Sequence, residues 1–105
     1  MSTPDACELC GRTGLPLTRH HLIPRAVHGR KRIRKRYSRA QREGAILHVC
    51  RACHKQIHAL CSEMELAERY ASREALLAHP EMARFLRWIR ARPPGYVPRT
   101  RRRRR

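Results

Sequence analysis

Two short stretches of this chain read as strands and four as helices. Leu17 to Ile23 suits extended backbone and stops at Pro24, whose ring pushes the preceding residue toward β geometry. Ala45-Ile46-Leu47-His48-Val49 is the second strand candidate, and helical spacing takes over directly after it through Cys53, His54, Ile57, His58 and Cys61. Positions four apart share a helix face, so His54 and His58 point the same way while Ile57, Leu60 and Cys61 form an adjoining apolar stripe. Ser72, with Glu74 and Leu76, opens another short helix. Beyond it Met82, Phe85, Leu86 and Ile89 recur at helical spacing, with Trp88 widening the stripe, Pro80 in the first turn and Pro93-Pro94 as the stop. This stripe is expected to pack against the core.

The remaining segments are connections. The stretch through Gly14 reads as a loop built on Cys7-Glu8-Leu9-Cys10-Gly11, where glycine permits the tight turn of a thiolate knuckle. Residues 28 to 44 form a basic connection in which Ser38-Arg39-Ala40-Gln41 resembles a capping box, predicting a short helix from Arg39 to Glu43 that Gly44 ends.

Charge narrows the choice of partner. With 25 Lys and Arg against 8 Asp and Glu in 105 residues, the formal net charge is +17, a field that attracts polyanions. Nucleic acid is the expected partner. An anionic membrane would want a basic amphipathic helix with a broad apolar face, and the run Arg30-Lys31-Arg32-Ile33-Arg34-Lys35-Arg36 has none. Met1 to Ala6 lack the basic and apolar regions of an export signal, and no run approaches a membrane span, so a soluble cytoplasmic protein with reduced thiols is expected. Arg99 and Arg101 to Arg105 predict a disordered, polyanion-attracting tail over residues 93 to 105. Tyr37, Tyr70, Trp88 and Tyr96 are scattered along the chain, and no aromatic stacking platform is expected from them.

A chain this short needs a staple, and the five cysteines suit metal better than disulfides because the odd count leaves one thiol over. Cys7-x₂-Cys10 and Cys50-x₂-Cys53 deliver four sulfurs to a tetrahedral Zn²⁺ without strain. The long interval between the pairs departs from a compact zinc finger, so what fills it must be structured. Cys61 is expected to be a small buried apolar residue. A second constellation is His20, His21, His54 and His58. Adjacent strand residues point to opposite faces, so only one of His20 and His21 can join a metal with His54 and His58, leaving the other free to act as a base. His28, His48 and His79 are read as structural.

Together, Cys7-x₂-Cys10, Leu17-Thr18-Arg19-His20-His21-Leu22-Ile23-Pro24 and Cys50-Arg51-Ala52-Cys53-His54-x₃-His58 resemble the zinc-stapled branch of the HNH, or ββα-metal, nuclease family. The resemblance covers residues 7 to about 61. It implies a small α+β fold, a ββα-metal core stapled by a Cys₄ zinc site and followed by C-terminal helices. The corresponding divisions are 1–62 for the core, 63–92 for a helical extension packed on it and 93–105 for the tail. The family implies His21 as general base; His20, His54 and His58 as ligands of one catalytic divalent ion (Mg²⁺, Mn²⁺, Ni²⁺ or Zn²⁺); and Cys7, Cys10, Cys50 and Cys53 on structural zinc. Ala45 stands where the family has an asparagine, and alanine cannot make the hydrogen bonds that brace the loop carrying the base. Efficient catalysis therefore requires Gln41 or a backbone contact to substitute.

The activity so implied is metal-dependent endonucleolytic hydrolysis of phosphodiester bonds, DNA being favoured over RNA by resemblance alone. Arg25, Arg30, Lys31, Arg32, Arg34, Lys35 and Arg36 would hold the flanking backbone, and because phosphate contacts carry no sequence information, low intrinsic specificity is expected. No small-molecule substrate and no membrane partner are expected. The alternatives are a non-catalytic zinc module that binds nucleic acid, favoured by Ala45, and a small subunit of a nucleoprotein complex, favoured by the arginine tail.

Overall fold

The two extended stretches meet as a hairpin. In a computed structural model of the protein, which describes residues 4–93 and 96, strand β1 (Leu17–His21) pairs antiparallel with β2 (Ile46–Cys50). The register sets Leu17 opposite Cys50, His20 opposite Leu47 and His21 opposite Ile46. A lone two-stranded ribbon is marginal in water, so the hairpin depends on what covers it. Helix α3 (Arg51–Leu60) begins at the residue after β2, with Cys50 as its N-cap, and lies against both strands.

The connection between the strands is more structured than its charge suggests. After a single 3₁₀ turn at Arg25–Val27, the basic run forms helix α1 (Lys31–Arg36), read from sequence as a connection without an apolar face. Its anchor is one residue. Ile33 is fully buried with Ile23, Val27 and Ala67 in a small second core, while every cation of the helix stays exposed. Six residues are too few to hold a helix in water by propensity, so α1 exists because Ile33 has a pocket. The predicted capping box is present in α2 (Arg39–Gly44): the Ser38 hydroxyl accepts from Gln41 N–H at 3.1 Å, and the Gln41 side chain accepts from Ser38 N–H at 2.8 Å. The helix includes Gly44 rather than ending before it, and closes at Ala45, whose N–H donates to the Gln41 carbonyl.

Three further helices follow. Helix α4 (Glu63–Arg69), absent from the sequence reading, starts with a second capping box formed by Ser62 and Glu65. Helix α5 (Arg73–Ala78) starts at Ser72 as expected, and α6 (Pro80–Arg90) carries Pro80 at its first turn. His79, placed in a structural role by the sequence, caps α6: its Nδ1 accepts from the N–H groups of Glu81 and Met82. Leu66, Leu76, Met82, Leu86 and Ile89 share one core with the hairpin, α3 and the four metal-type cysteines. Cys61 is buried there too, as expected. Trp88 is not: it is 40% exposed, so its share in the apolar stripe is corrected. Among the described residues the fold is small and α+β, with one two-stranded antiparallel sheet and six α-helices. None of these helices is long and apolar enough to cross a membrane. Apart from Pro93 and Tyr96, the predicted arginine tail lies outside the described residues.

Truncating the anchor of α1 tests whether packing or propensity holds it. Ile33→Ala removes a fully buried side chain and is expected to cost about 2–5 kcal/mol in urea unfolding, whereas Arg34→Ala on the exposed side should stay within about 0.5 kcal/mol of wild type.

Candidate functional site

The sulfur cluster is assembled from two separate turns. Around Cys7 and Cys10 the chain folds back on itself: Gly11 N–H donates to the Cys7 carbonyl at 2.9 Å, Cys7 N–H donates to the Arg12 carbonyl at 3.1 Å, and Cys10 N–H points at Cys7 Sγ. Gly11 closes that turn at φ +79°, a conformation in which a side chain would be strained. Cys50 ends β2 and Cys53 lies in the first turn of α3, so the second pair is delivered by the strand-to-helix junction. All four sulfurs lie within 4.8 Å of one another and all four residues are buried. Cys10 Sγ and Cys50 Sγ are 3.8 Å apart, which matches the edge of about 3.8 Å that a tetrahedron with metal–sulfur bonds of about 2.3 Å requires. Hydrogen bonds from Cys50 and Cys53 draw the Cys10 thiol far below its ordinary value, while the same contact with Cys10 pushes Cys50 and Cys53 up. Such sharing of few protons among close sulfurs is the state that a cation displaces. A tetra-cysteine site able to bind zinc is therefore present.

The second cluster joins the hairpin to α3. His20 sits on β1 with 0% exposure, and neither of its ring nitrogens has a hydrogen-bond partner among the described residues. Leaving a buried polar group unpaired is costly, so this ring calls for a ligand that protein atoms do not supply. His54 and His58 come from one face of α3, and the three rings form a near-equilateral triangle with centroids 5.3, 5.4 and 5.1 Å apart. Three imidazoles sharing a tetrahedral ion at about 2.1 Å would have centroids roughly 5 Å apart. One ring nitrogen from each of the three residues lies within 4.8 Å of the others. Burial, then the neighbouring His54 and His58, depresses His20 to about 3. Burial also lowers His54, with His58 adding to it, and lowers His58. All three rings are thus neutral near pH 7, the form in which imidazole offers a lone pair.

Thr18, which the sequence reading did not use, decides which lone pair His54 offers. Its hydroxyl lies 3.1 Å from the Val49 carbonyl and 2.7 Å from His54 Nδ1. The carbonyl can only accept, so the hydroxyl proton goes to Val49 and the Thr18 oxygen accepts from His54 Nδ1–H. Nε2 is left unprotonated. A partner that fixes the tautomer of a candidate ligand in this way is characteristic of histidine metal sites. The period of two along a strand puts Thr18 and His20 on one face, which was the available sequence signal.

His21 points away from the triad. With Arg25, His28 and Glu43 it lines a polar cavity of about 280 Å³. Burial, followed by the cationic Arg19 and Arg25, lowers its basicity. The loop after His21 is braced without the missing asparagine: the Ala45 carbonyl accepts from Leu22 N–H at 2.9 Å, and His28 Nε2 donates to the Ile23 carbonyl at 2.6 Å. The Gln41 side chain does not take this role, since it is committed to the capping box. Of the basic residues singled out, Arg25, Arg30, Lys31, Arg34 and Lys35 are exposed. Arg32 and Arg36 are exposed too, Arg32 ion-paired with Glu68 and Arg36 over the Tyr37 ring.

Buried Arg12 was also missed. Its Nη2 donates to Cys50 Sγ at 3.5 Å, placing a permanent positive charge against the sulfur cluster. Arg90 covers the knuckle from α6 by donating to the carbonyls of Leu9 and Cys10.

Over 91 residues the chain is 42% identical to the uncharacterized protein YisB of Bacillus subtilis (strain 168), a stretch that takes in 84% of this chain and 76% of that protein. No family model and no solved structure matches the chain.

The sulfur cluster predicts metal-dependent folding. Structural zinc contributes an apparent ~10–16 kcal/mol, comparable with or larger than the ~5–15 kcal/mol net stability of a domain. Cys53→Ser is expected to abolish stoichiometric zinc and the native circular dichroism together; a variant that stays folded and zinc-loaded would refute the assignment.

Proposed function

We propose that this chain, which belongs to the same family as YisB of Bacillus subtilis, is a metal-dependent endonuclease of the HNH type with a ββα-metal core, hydrolysing phosphodiester bonds in nucleic acid, DNA in the first instance. The observation that carries the reading is the buried ring of His20, without a hydrogen-bond partner among the described residues, facing His54 and His58, with His21 on the opposite strand face beside a polar cavity that Arg25 and Glu43 also line. A purely structural histidine cluster would be expected to satisfy its nitrogens with protein partners.

His20, His54 and His58 would hold one divalent ion, which supplies charge neutralisation at the scissile phosphate and at the leaving oxygen. Three protein ligands leave a coordination position for a phosphate oxygen, in contrast to the closed four-sulfur site. Thr18 keeps His54 in the tautomer that donates from Nε2. His21, kept neutral by burial and by nearby cations, takes the proton of the attacking water on a ring nitrogen, and Arg25 beside it holds the phosphate. The bonds to the Ala45 and Ile23 carbonyls keep this loop in register. Arg30, Lys31, Arg34 and Lys35 bind flanking phosphates and read no sequence.

Plasmid nicking in Mg²⁺, Mn²⁺, Ni²⁺ or Zn²⁺ tests the reading. Removing a general base costs about 10²–10⁴-fold, so His21→Ala should nick at least about 100-fold more slowly than wild type while keeping its fold. His54→Ala should lose one metal equivalent, keep the sulfur-bound zinc and be inactive. If His21→Ala cuts as fast as wild type, His21 is not the base; if no ion supports wild-type cleavage, the site is not hydrolytic.

A further inference from the structure

Trp88 and Tyr96 are eight positions apart in the sequence, yet they meet in the fold. Their ring centroids lie 5.7 Å apart at 75°, Phe85 stands 6.1 Å from Trp88, and the Arg92 guanidinium lies 5.1 Å from the Trp88 centroid. Among the described residues these two are the exposed large hydrophobic side chains, at 40% and 42%. The other apolar side chains of α6 that face the core, Met82, Leu86 and Ile89, are fully buried. Aromatic surface left in water adds little to the stability of the fold, and here two such side chains are in contact rather than scattered singly.

The pair is also anchored. Arg12 donates from Nη1 to the carbonyls of Pro93 and Tyr96 at 2.8 and 3.3 Å, while its Nη2 contacts Cys50 Sγ. Tyr96 is thereby tied through one buried guanidinium to the sulfur cluster. The described chain beside the patch carries charge of a single sign: from Met82 to Pro93 it has four arginines, Arg84, Arg87, Arg90 and Arg92, and no acidic residue.

We propose that the Trp88–Tyr96 pair is a stacking platform for an unpaired nucleobase, with the exposed Arg84, Arg87 and Arg92 holding the phosphates of a single strand. Aromatic faces beside arginines are the chemistry by which single-stranded nucleic acid is bound without sequence preference. A lipid surface would want a broader apolar face than one aromatic pair rimmed by arginines. The platform does not require hydrolysis at the histidine site and stands if that reading fails.

Trp88 is the single tryptophan of the chain, so its fluorescence reports on this surface alone. The His21→Ala protein, used so that no probe is consumed, is titrated with an oligothymidylate and with an abasic oligonucleotide of equal length. Both carry the same phosphates, so the electrostatic contribution is common to the two. The oligothymidylate is expected to quench Trp88 saturably and to bind at least about fivefold more tightly than the abasic strand. By anisotropy with labelled strands, Trp88→Ala should remove that difference and Trp88→Phe should retain most of it. Equal affinity for the two strands, or a preference unchanged in Trp88→Ala, overturns the proposal. So does self-association that depends on Trp88 together with no preference for bases, which would assign the patch to a second copy of the chain.

Discussion

The convergence of four cysteine sulfurs is the constraint on which the rest depends. It joins the N-terminal knuckle to the junction between β2 and α3, bringing together segments forty residues apart around one buried point. The same junction sets the histidines, because His54 is the residue after Cys53 and His58 follows one turn later on α3. A two-stranded ribbon and a ten-residue helix have little independent stability. Pinned at their shared end, they hold His20 on the strand and His54 and His58 on the helix in a fixed triangle.

Strand geometry then divides two adjacent imidazoles between two environments. His20 points inward, loses its solvent and has no hydrogen-bond partner among the described residues, while His21 points to a polar cavity that Arg25, His28 and Glu43 also line. One covalent step along the backbone separates a buried ring whose nitrogens face the other two imidazoles from one beside a polar cavity. Thr18, two residues before His20 and on its face, carries the division further by holding His54 in a single tautomer.

The C-terminal helices are part of this assembly. Arg90 on α6 satisfies the knuckle carbonyls, and Met82, Leu86 and Ile89 complete the core that contains the cysteines. Arg12 extends the connection from the sulfur cluster to the backbone at Pro93 and Tyr96. A cation held by the four sulfurs would thus bear on both the histidine cluster and the aromatic patch.

Several features were legible in the linear sequence because they depend on short intervals. The two Cys-x₂-Cys knuckles, the shared face of His54 and His58, the opposition of His20 and His21, the Ser38–Gln41 capping box and the α6 stripe all follow from periodicities of two, three or four residues. What tertiary structure alone decided involves partners far apart or surfaces defined by what covers them. Helix α1 looks like a solvated charge run until Ile33 finds a pocket built by Ile23, Val27 and Ala67. The brace missing at Ala45 is a backbone carbonyl, which no side-chain pattern encodes. Arg12 is one of many arginines by composition, and only burial against Cys50 distinguishes it. Trp88 widens the core stripe by spacing; its exposure beside Tyr96 is a tertiary outcome that local periodicity does not contain.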